Sequence, residues 1–204
     1  MFKKIASDML GLSDIGSVIK PQDYDKVDAD DYVMHEDQEK IYFLIKSKTD
    51  EYCFTNKALI HVDGTSAVSQ KRTLKRYNYY EHAISNVSLE TAGTVDLDAE
   101  IKFRLGPNEF SIDVHKQFIE ELKDLYKSLL AIAELMKENQ TALEFAKESL
   151  RLSADILNRV SATEGNLVEQ FKELNEATFS WLTEKTKEYT VKDFGFVFEK
   201  YINN

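Results

Sequence analysis

Cysteine, proline and glycine are all scarce in this chain of 204 residues. Cys53 is its single cysteine, so no disulfide can form within one copy and the framework of a small disulfide-stapled domain is excluded. Pro107 is the second and last proline, and the 97 residues after it hold two of the seven glycines, Gly165 and Gly195. The turn-forming residues therefore crowd the front of the chain, which reads as strand-rich, while the back reads as helix-rich. Long apolar runs are missing as well. Ile41 to Ile45 and Leu129 to Ala133 are the longest, far short of the roughly 18 residues that a membrane span needs. Asp8 interrupts the apolar stretch after Met1-Phe2-Lys3-Lys4, and no small-residue cleavage site follows, so a secretion signal is not expected. Basic residues are outnumbered, 26 against 36 acidic, for a net charge of −10. A chain so charged is repelled by nucleic acid and by anionic membranes, which argues against a nucleic-acid partner. These absences together lead us to expect a cytoplasmic protein.

At the start, Phe2, Ile5, Met9 and Leu12 recur at helical spacing, so residues 1–19 are expected to be an amphipathic lead segment. Asp23 to Glu39 carries eight acidic residues against the single Lys26 and reads as a solvated connector; no calcium-loop ladder with a glycine turn is present. Seven strand-like segments follow, at Glu39 to Lys46, Glu51 to Phe54, Lys57 to Asp63, Gln70 to Tyr77, Ala83 to Glu90, Leu97 to Leu105 and Glu109 to Val114. Thr55-Asn56, Asp63-Gly64, Gly93 and Gly106-Pro107 mark turns between them. A helix is then predicted from about Lys116 to Lys137, with Phe118, Leu122, Leu125, Leu129, Ile132 and Met136 as its buried stripe.

Seven strands and then one helix is the order of the pleckstrin-homology (PH) fold. Three runs carry the resemblance further: Tyr52-Cys53-Phe54-Thr55-Asn56-Lys57-Ala58-Leu59-Ile60, Ile84 through Gly93, and Asp96-Leu97-Asp98-Ala99-Glu100-Ile101. Over about residues 20 to 137 the chain resembles the bacterial PH domain family, although Ala58 stands where that family usually has arginine. The resemblance implies an α+β, PH-like seven-stranded antiparallel barrel or sandwich over residues 20–138, capped by its C-terminal helix, non-enzymatic and prone to self-assembly. It does not carry over an inositol phosphate site, because the first hairpin loop offers Lys46 and Lys48 opposed by Asp50 and Glu51.

Beyond that helix, Thr141-Ala142-Leu143-Glu144 matches a capping box and predicts a break at Asn139-Gln140 with a new helix from Ala142; Ser161-Ala162-Thr163-Glu164 repeats the signal for a helix to Tyr189. The first of these helices has two apolar stripes, Leu143, Ala146, Leu150, Leu157 and Val160 on one face and Phe145, Leu152 and Ile156 on another. Its partner shows Leu167, Phe171, Leu174 and Trp181, with Phe179 and Leu182 displaced from them. A hairpin buries one stripe per helix, so the second needs another cover, either the strand domain or a second copy. Some members of the family it resembles carry a helical extension regarded as an oligomerisation region, and residues 139–204 resemble it. The chain is thus expected to be a homo-oligomer, with other proteins as further partners. Phe194, Phe196, Val197, Phe198 and Tyr201 form an aromatic tail that reads as a docking segment.

Chemistry-bearing residues do not converge. His35, His61, His82 and His115 lack zinc-site spacing, Cys53 in a strand reads as a buried inert thiol, and no catalytic signature occurs, so no enzyme, metal or cofactor is expected. Asp96, Asp98 and Glu100 are the best carboxylate cluster, either a solvated strand face or, on a third and weaker reading, a metal-dependent active site. Lys71, Arg72, Lys75 and Arg76 are the one basic cluster. An anionic-lipid surface is the alternative function they suggest, against the edge-strand reading in which such charges discourage pairing.

Overall fold

The structure, a computed structural model, describes residues 14–64, 72–91, 98–160 and 167–202, with the side chains of 156–160 and 167 excepted. The expected lead helix, Lys71, Asp96, the Ser161 capping box and the side chains of Ile156, Leu157 and Leu167 lie outside these residues. The chain forms two compact units, residues 1–133 with 192–204, and residues 134–191.

The first unit holds two antiparallel sheets. One runs in the order β1 (Ser17–Val18), β2 (Ile41–Lys46), β3 (Asp50–Thr55), β4 (Ala58–Gly64), β5 (Arg72–Asn78); the other is β6 (Ile84–Glu90), β7 (Asp98–Leu105), β8 (Asn108–His115). The strict alternation in β7 buries Ala99, Ile101, Phe103 and Leu105, as a half-buried strand requires. Phe110, Ile112 and Val114 do the same from β8. The sheets meet through aromatic rings. Phe103 stacks on Phe110 at 5.0 Å, Phe54 lies 5.9 Å from Phe103, and Tyr77 stands edge-on to Phe110 at 5.2 Å.

Short β1 has no counterpart among the seven expected strands. It pairs with β2, and Gly16 before it bridges to the second sheet by donating to the Asp113 carbonyl and accepting from the His115 amide. A Cβ at Gly16 would come within 2.7 Å of Ile45 and 2.9 Å of the Asp113 carbonyl oxygen, so only glycine lets the two sheets close here.

The acidic connector corrects expectation. Residues 21–37 form three 3-10 turns, Pro21–Lys26, Asp28–Tyr32 and His35–Asp37, rather than a solvated strip. Val27, Ala29 and Val33 are buried in one cluster with Leu44, Cys53, Ile60 and Val62. The first sheet is thus covered on both faces, which is why β2 and β4 read as continuous apolar runs. The few apolar side chains among many carboxylates turn inward while most of the carboxylates stay in contact with water, Glu39 being the buried exception.

After β8, α1 runs Ile119–Val160, 42 residues without interruption. Leu122, Leu125, Leu129 and Ile132 on its first turns are fully buried in the strand unit. The break expected at Asn139-Gln140 is absent: the Thr141 hydroxyl donates to the Lys137 carbonyl one turn back, and Gln140 bonds Glu144. A mid-helix threonine can satisfy its hydroxyl in this way, so a capping-box pattern starts a helix only where the backbone has already stopped. Helix α2 spans Leu167–Glu188 and α3 spans Gly195–Tyr201. The aromatic tail around α3 belongs to the strand unit rather than to the hairpin extension.

Candidate functional site

Every described member of the basic cluster is engaged by a carboxylate. Arg72 pairs with Asp28 at 3.1 Å, Lys75 with Asp63 at 3.4 Å, and Arg76 with Glu39 at 2.9 Å. The first two pairs are exposed and weak, of the order of 0–1 kcal/mol. Arg76 is different, because Glu39 is buried and takes two guanidinium bonds. Burial pushes the Glu39 carboxyl up, but Arg76, the Thr55 hydroxyl and the Met34 amide outweigh it and hold the group below its ordinary range. The cluster lies on β5, the edge of the five-stranded sheet.

The Thr55-Asn56-Lys57 turn is an anchoring point. Thr55 binds Glu39 and the Ala58 backbone, Asn56 accepts the Lys40 amide, and Lys57 reaches the Asp37 carbonyl. Glu51, also buried, takes the Ala29 amide at 2.8 Å and the Lys46 ammonium. Lys46 and Glu51, opposed in the sequence at a loop, form a cross-strand pair between β2 and β3, and it is the Glu51 carboxylate that ties the sheet to the 3-10 turn over it by accepting the Ala29 amide. Cys53 is fully buried, and burial pushes its thiol well up, the Glu39 and Glu51 carboxylates adding to the shift.

Of the acidic strand residues, Glu100 accepts bonds from Lys102 and Ser111, and Lys102 also reaches Glu90. Among the described residues no group of three His, Cys, Asp or Glu side chains is placed to hold a metal ion. No helix among them is long and apolar enough to cross a membrane.

The most unusual surface lies in the second unit. Ser149, Leu150 and Ser153 of α1 line one cleft with Ala177, Thr178 and Trp181 of α2. These positions lie comparable distances before and after the connection at 161–166, as in an antiparallel helical hairpin. Leu143, Ala146 and Leu150 turn partly or wholly inward, whereas Phe145 is 70% exposed and Leu152 is exposed with it. On α2, Phe171 and Phe179 are 70% and 71% exposed. Phe171 thus sides with the outer stripe, while Leu182 is half-buried and Trp181 sits in the cleft. Val168, also exposed, went unremarked in the sequence although it lies one turn before Phe171 on the same side. From residue 134 to 191, Ala146 alone among the described side chains is buried. A two-helix hairpin that buries so little of its apolar surface among the described side chains needs an outside cover.

Residues 9–133 match the family model described as the bacterial PH domain. The chain belongs to the bacterial pleckstrin-homology domain family. Residues 144–204 match a second model, the YvbH-like oligomerisation region, which takes in the uncovered hairpin and the tail. The chain is 64% identical, over the whole length of both proteins, to the uncharacterized protein YvbH of Bacillus subtilis strain 168. It is 36% identical over 96 residues to B. subtilis YjqA, covering 46% of this chain and 74% of that one. Among solved structures, a PH-domain-containing bacterial protein from Exiguobacterium sibiricum 255-15 is 56% identical, with a TM-score of 0.86 over 93% of this chain and all of that one. The PH-like fold expected from the strand order, two antiparallel sheets followed by a long helix and further helices, is therefore the fold of this protein.

Proposed function

We propose that this protein is a non-enzymatic PH-like binding or scaffold module that self-assembles through its helical hairpin, inside the cell. The observation that carries the reading is the exposure of Phe145, Phe171 and Phe179, each about 70% in water. A phenylalanine offers on the order of 200 Å2 to bury, so at ~25 cal/mol per Å2 each of these rings leaves about 3 kcal/mol of burial unrealised. A second copy presents the same apolar hairpin, and isologous contact covers both at once. The functional division is placed at residues 138 and 139, inside α1; what supports it is that the first stretch of the compact strand unit runs to Ala133, before the chain returns to that unit at Lys192. The hairpin candidates for contact between copies are Leu143, Phe145, Leu150, Leu152, Ile156 and Leu157 on α1, with Phe171, Leu174, Phe179, Trp181 and Leu182 on α2.

Light scattering on the full chain and on a Phe145→Ser, Phe171→Ser, Phe179→Ser variant tests this. We expect a multiple of the 23.5 kDa chain mass for the first and a single chain for the second. A full chain that stays monomeric at micromolar concentration defeats the proposal. The rival reading is an anionic-lipid surface at Lys71, Arg72, Lys75 and Arg76. Its support is the partial exposure of Arg72 and Lys75, which pair with carboxylates that are themselves in water. Sedimentation with vesicles rich in phosphatidylserine at low salt separates the two, because absence of binding there removes the rival.

A further inference from the structure

Residues 192–202 make a self-contained ligand for the strand unit. Phe194 and Phe198, one turn apart, are fully buried. Tyr79 stands edge-on to Phe194 at 5.8 Å and tilted to Phe198 at 6.2 Å, and Tyr42 stacks on Phe198 at 5.4 Å. Polar contacts fix the register of this aromatic plug. The Asn56 carbonyl accepts the Phe194 amide at 2.7 Å, the Asn56 side chain donates to Asp193 at 2.6 Å, and the Tyr42 hydroxyl donates to Glu199 at 2.7 Å. Lys192 lies over the Tyr80 ring at 5.1 Å. Gly195 fits closely, since a Cβ there would come 2.8 Å from the Tyr42 hydroxyl, which would have to shift. Recognition therefore rests on one continuous run, Lys192 to Glu199, read by a groove made of Tyr42, Asn56, Tyr79 and Tyr80.

We infer that this groove is a recognition site for the segment Asp193-Phe194-Gly195-Phe196-Val197-Phe198-Glu199 whichever copy supplies it, and that a second copy of the chain is its partner. Every contact named above is made by the segment itself, so a neighbour's tail satisfies the groove with the same bonds. Exchange of an identical element between copies of one chain costs little for that reason. Residues Thr190–Lys192, which join the segment to α2, have no regular structure and can be redirected without breaking a helix or strand. The balance between own and foreign tail is then set by effective concentration, which any contact between copies raises for the neighbour. The groove and the segment both lie in the strand unit, so this inference stands apart from the hairpin reading.

The test is a labelled peptide of residues 190–204 titrated into the full chain and into its Phe194→Ala, Phe198→Ala variant. The variant, its own tail disabled, is expected to bind at least ~10-fold more tightly than the wild type, whose own tail competes at high effective concentration. Adding Asn56→Ala to the variant is expected to lose that binding. Absence of binding by a variant that still melts cooperatively overturns the inference. Should the variant not fold, a protease site placed between Tyr189 and Lys192 of the full chain gives a second reading: the cut tail should stay bound and be displaced by excess peptide. A tail lost on cutting, or never displaced, overturns the inference equally. Exchange between copies is read by mixing chains carrying a donor dye at residue 204 with chains carrying an acceptor at Lys57→Cys. Energy transfer abolished by Phe194→Ala, Phe198→Ala in the donor chain supports exchange; transfer that is absent, or that survives those substitutions, overturns it.

Discussion

Arg76 lays its guanidinium along the buried carboxylate of Glu39, Nη1 on Oε2 at 3.1 Å and Nη2 on Oε1 at 2.9 Å. This pair joins the edge strand β5 to the residue that leads into β2, and Thr55 completes it from β3. Removing one partner of a buried pair strands the other charge, which costs about 3–5 kcal/mol. Arg76→Ala is therefore expected to lower the urea midpoint by the equivalent of about 3 kcal/mol, the lower end because Arg76 is partly exposed. Arg72→Ala and Lys75→Ala, whose partners are in water, should each change it by about 0.5 kcal/mol or less. Equal losses at all three positions would show that the Glu39 pair has no special standing.

Acid should act through the same region. The Glu39 carboxyl is held below its ordinary range by the bonds that outweigh its burial. Burial likewise raises Asp50, and bonds from His61 and Thr49 overcome it to hold that group low as well. A depressed carboxyl binds fewer protons folded than unfolded, so its contribution is complete above the ordinary values of 4.5 and 3.8 and is lost as pH falls through the lowered ones. The urea midpoint should thus hold between pH 7 and 5 as far as these two groups are concerned, and drop below about pH 4. Glu39→Gln should begin less stable at neutral pH and show a shallower acid limb. A limb as steep as that of the wild type would place the acid sensitivity elsewhere.

Much of the architecture was legible in the sequence because it rests on local pattern. The strand expected at Leu97 to Leu105, described from Asp98 onward, and the stripe from Leu122 to Ile132 both appear where the sequence pattern puts them. The outer stripe of the hairpin, Phe145 and Leu152, was equally readable. What escaped is long-range. Val27, Ala29 and Val33 cover a sheet from inside an acidic segment whose composition hides them. Asn56 and Asp193 are 137 residues apart, and no periodicity announces their bond. The partners of the basic cluster, Asp28, Glu39 and Asp63, come from three other stretches of the chain, so no local pattern announces those pairs.

Thr141 separates two accounts of the long helix. A true N-cap loses about 1 kcal/mol when its hydroxyl is removed. In continuous α1 the Thr141 hydroxyl bonds back to Lys137, and threonine is a poorer helix former than alanine by some tenths of a kcal/mol. Thr141→Ala is accordingly expected to leave the thermal midpoint unchanged or to raise it slightly. A loss of about 1 kcal/mol would restore the break that the sequence suggested.

Tyr79 is fully buried, and its hydroxyl has no hydrogen-bond partner among the described residues. An unpaired buried hydroxyl costs about 1–3 kcal/mol, whereas the ring contacts to Phe194 and Phe198 survive its removal. Tyr79→Phe should therefore be neutral or stabilising, with the urea midpoint equal to that of the wild type or higher. A clear loss would mean that the hydroxyl is satisfied in solution.

Gly195 gives the narrowest steric test of how the tail is held. Alanine there adds one carbon 2.8 Å from the Tyr42 hydroxyl and 3.1 Å from an Asp193 oxygen. Helix propensity alone favours the change by up to about 1 kcal/mol at an interior position, so a loosely held tail would gain from it. In the seated tail the carbon must push the Tyr42 hydroxyl away from Glu199, and that ring is held by its stack on Phe198. Overpacking of this kind costs about 1–3 kcal/mol, which outweighs the propensity gain. Gly195→Ala is expected to lower the thermal midpoint and to speed amide exchange at Phe194, whose N–H is held by the Asn56 carbonyl. Phe196→Ala, at a ring 58% exposed beside it, should change neither. If Gly195→Ala raises the midpoint instead, the close fit of Tyr42 against the tail does not govern docking.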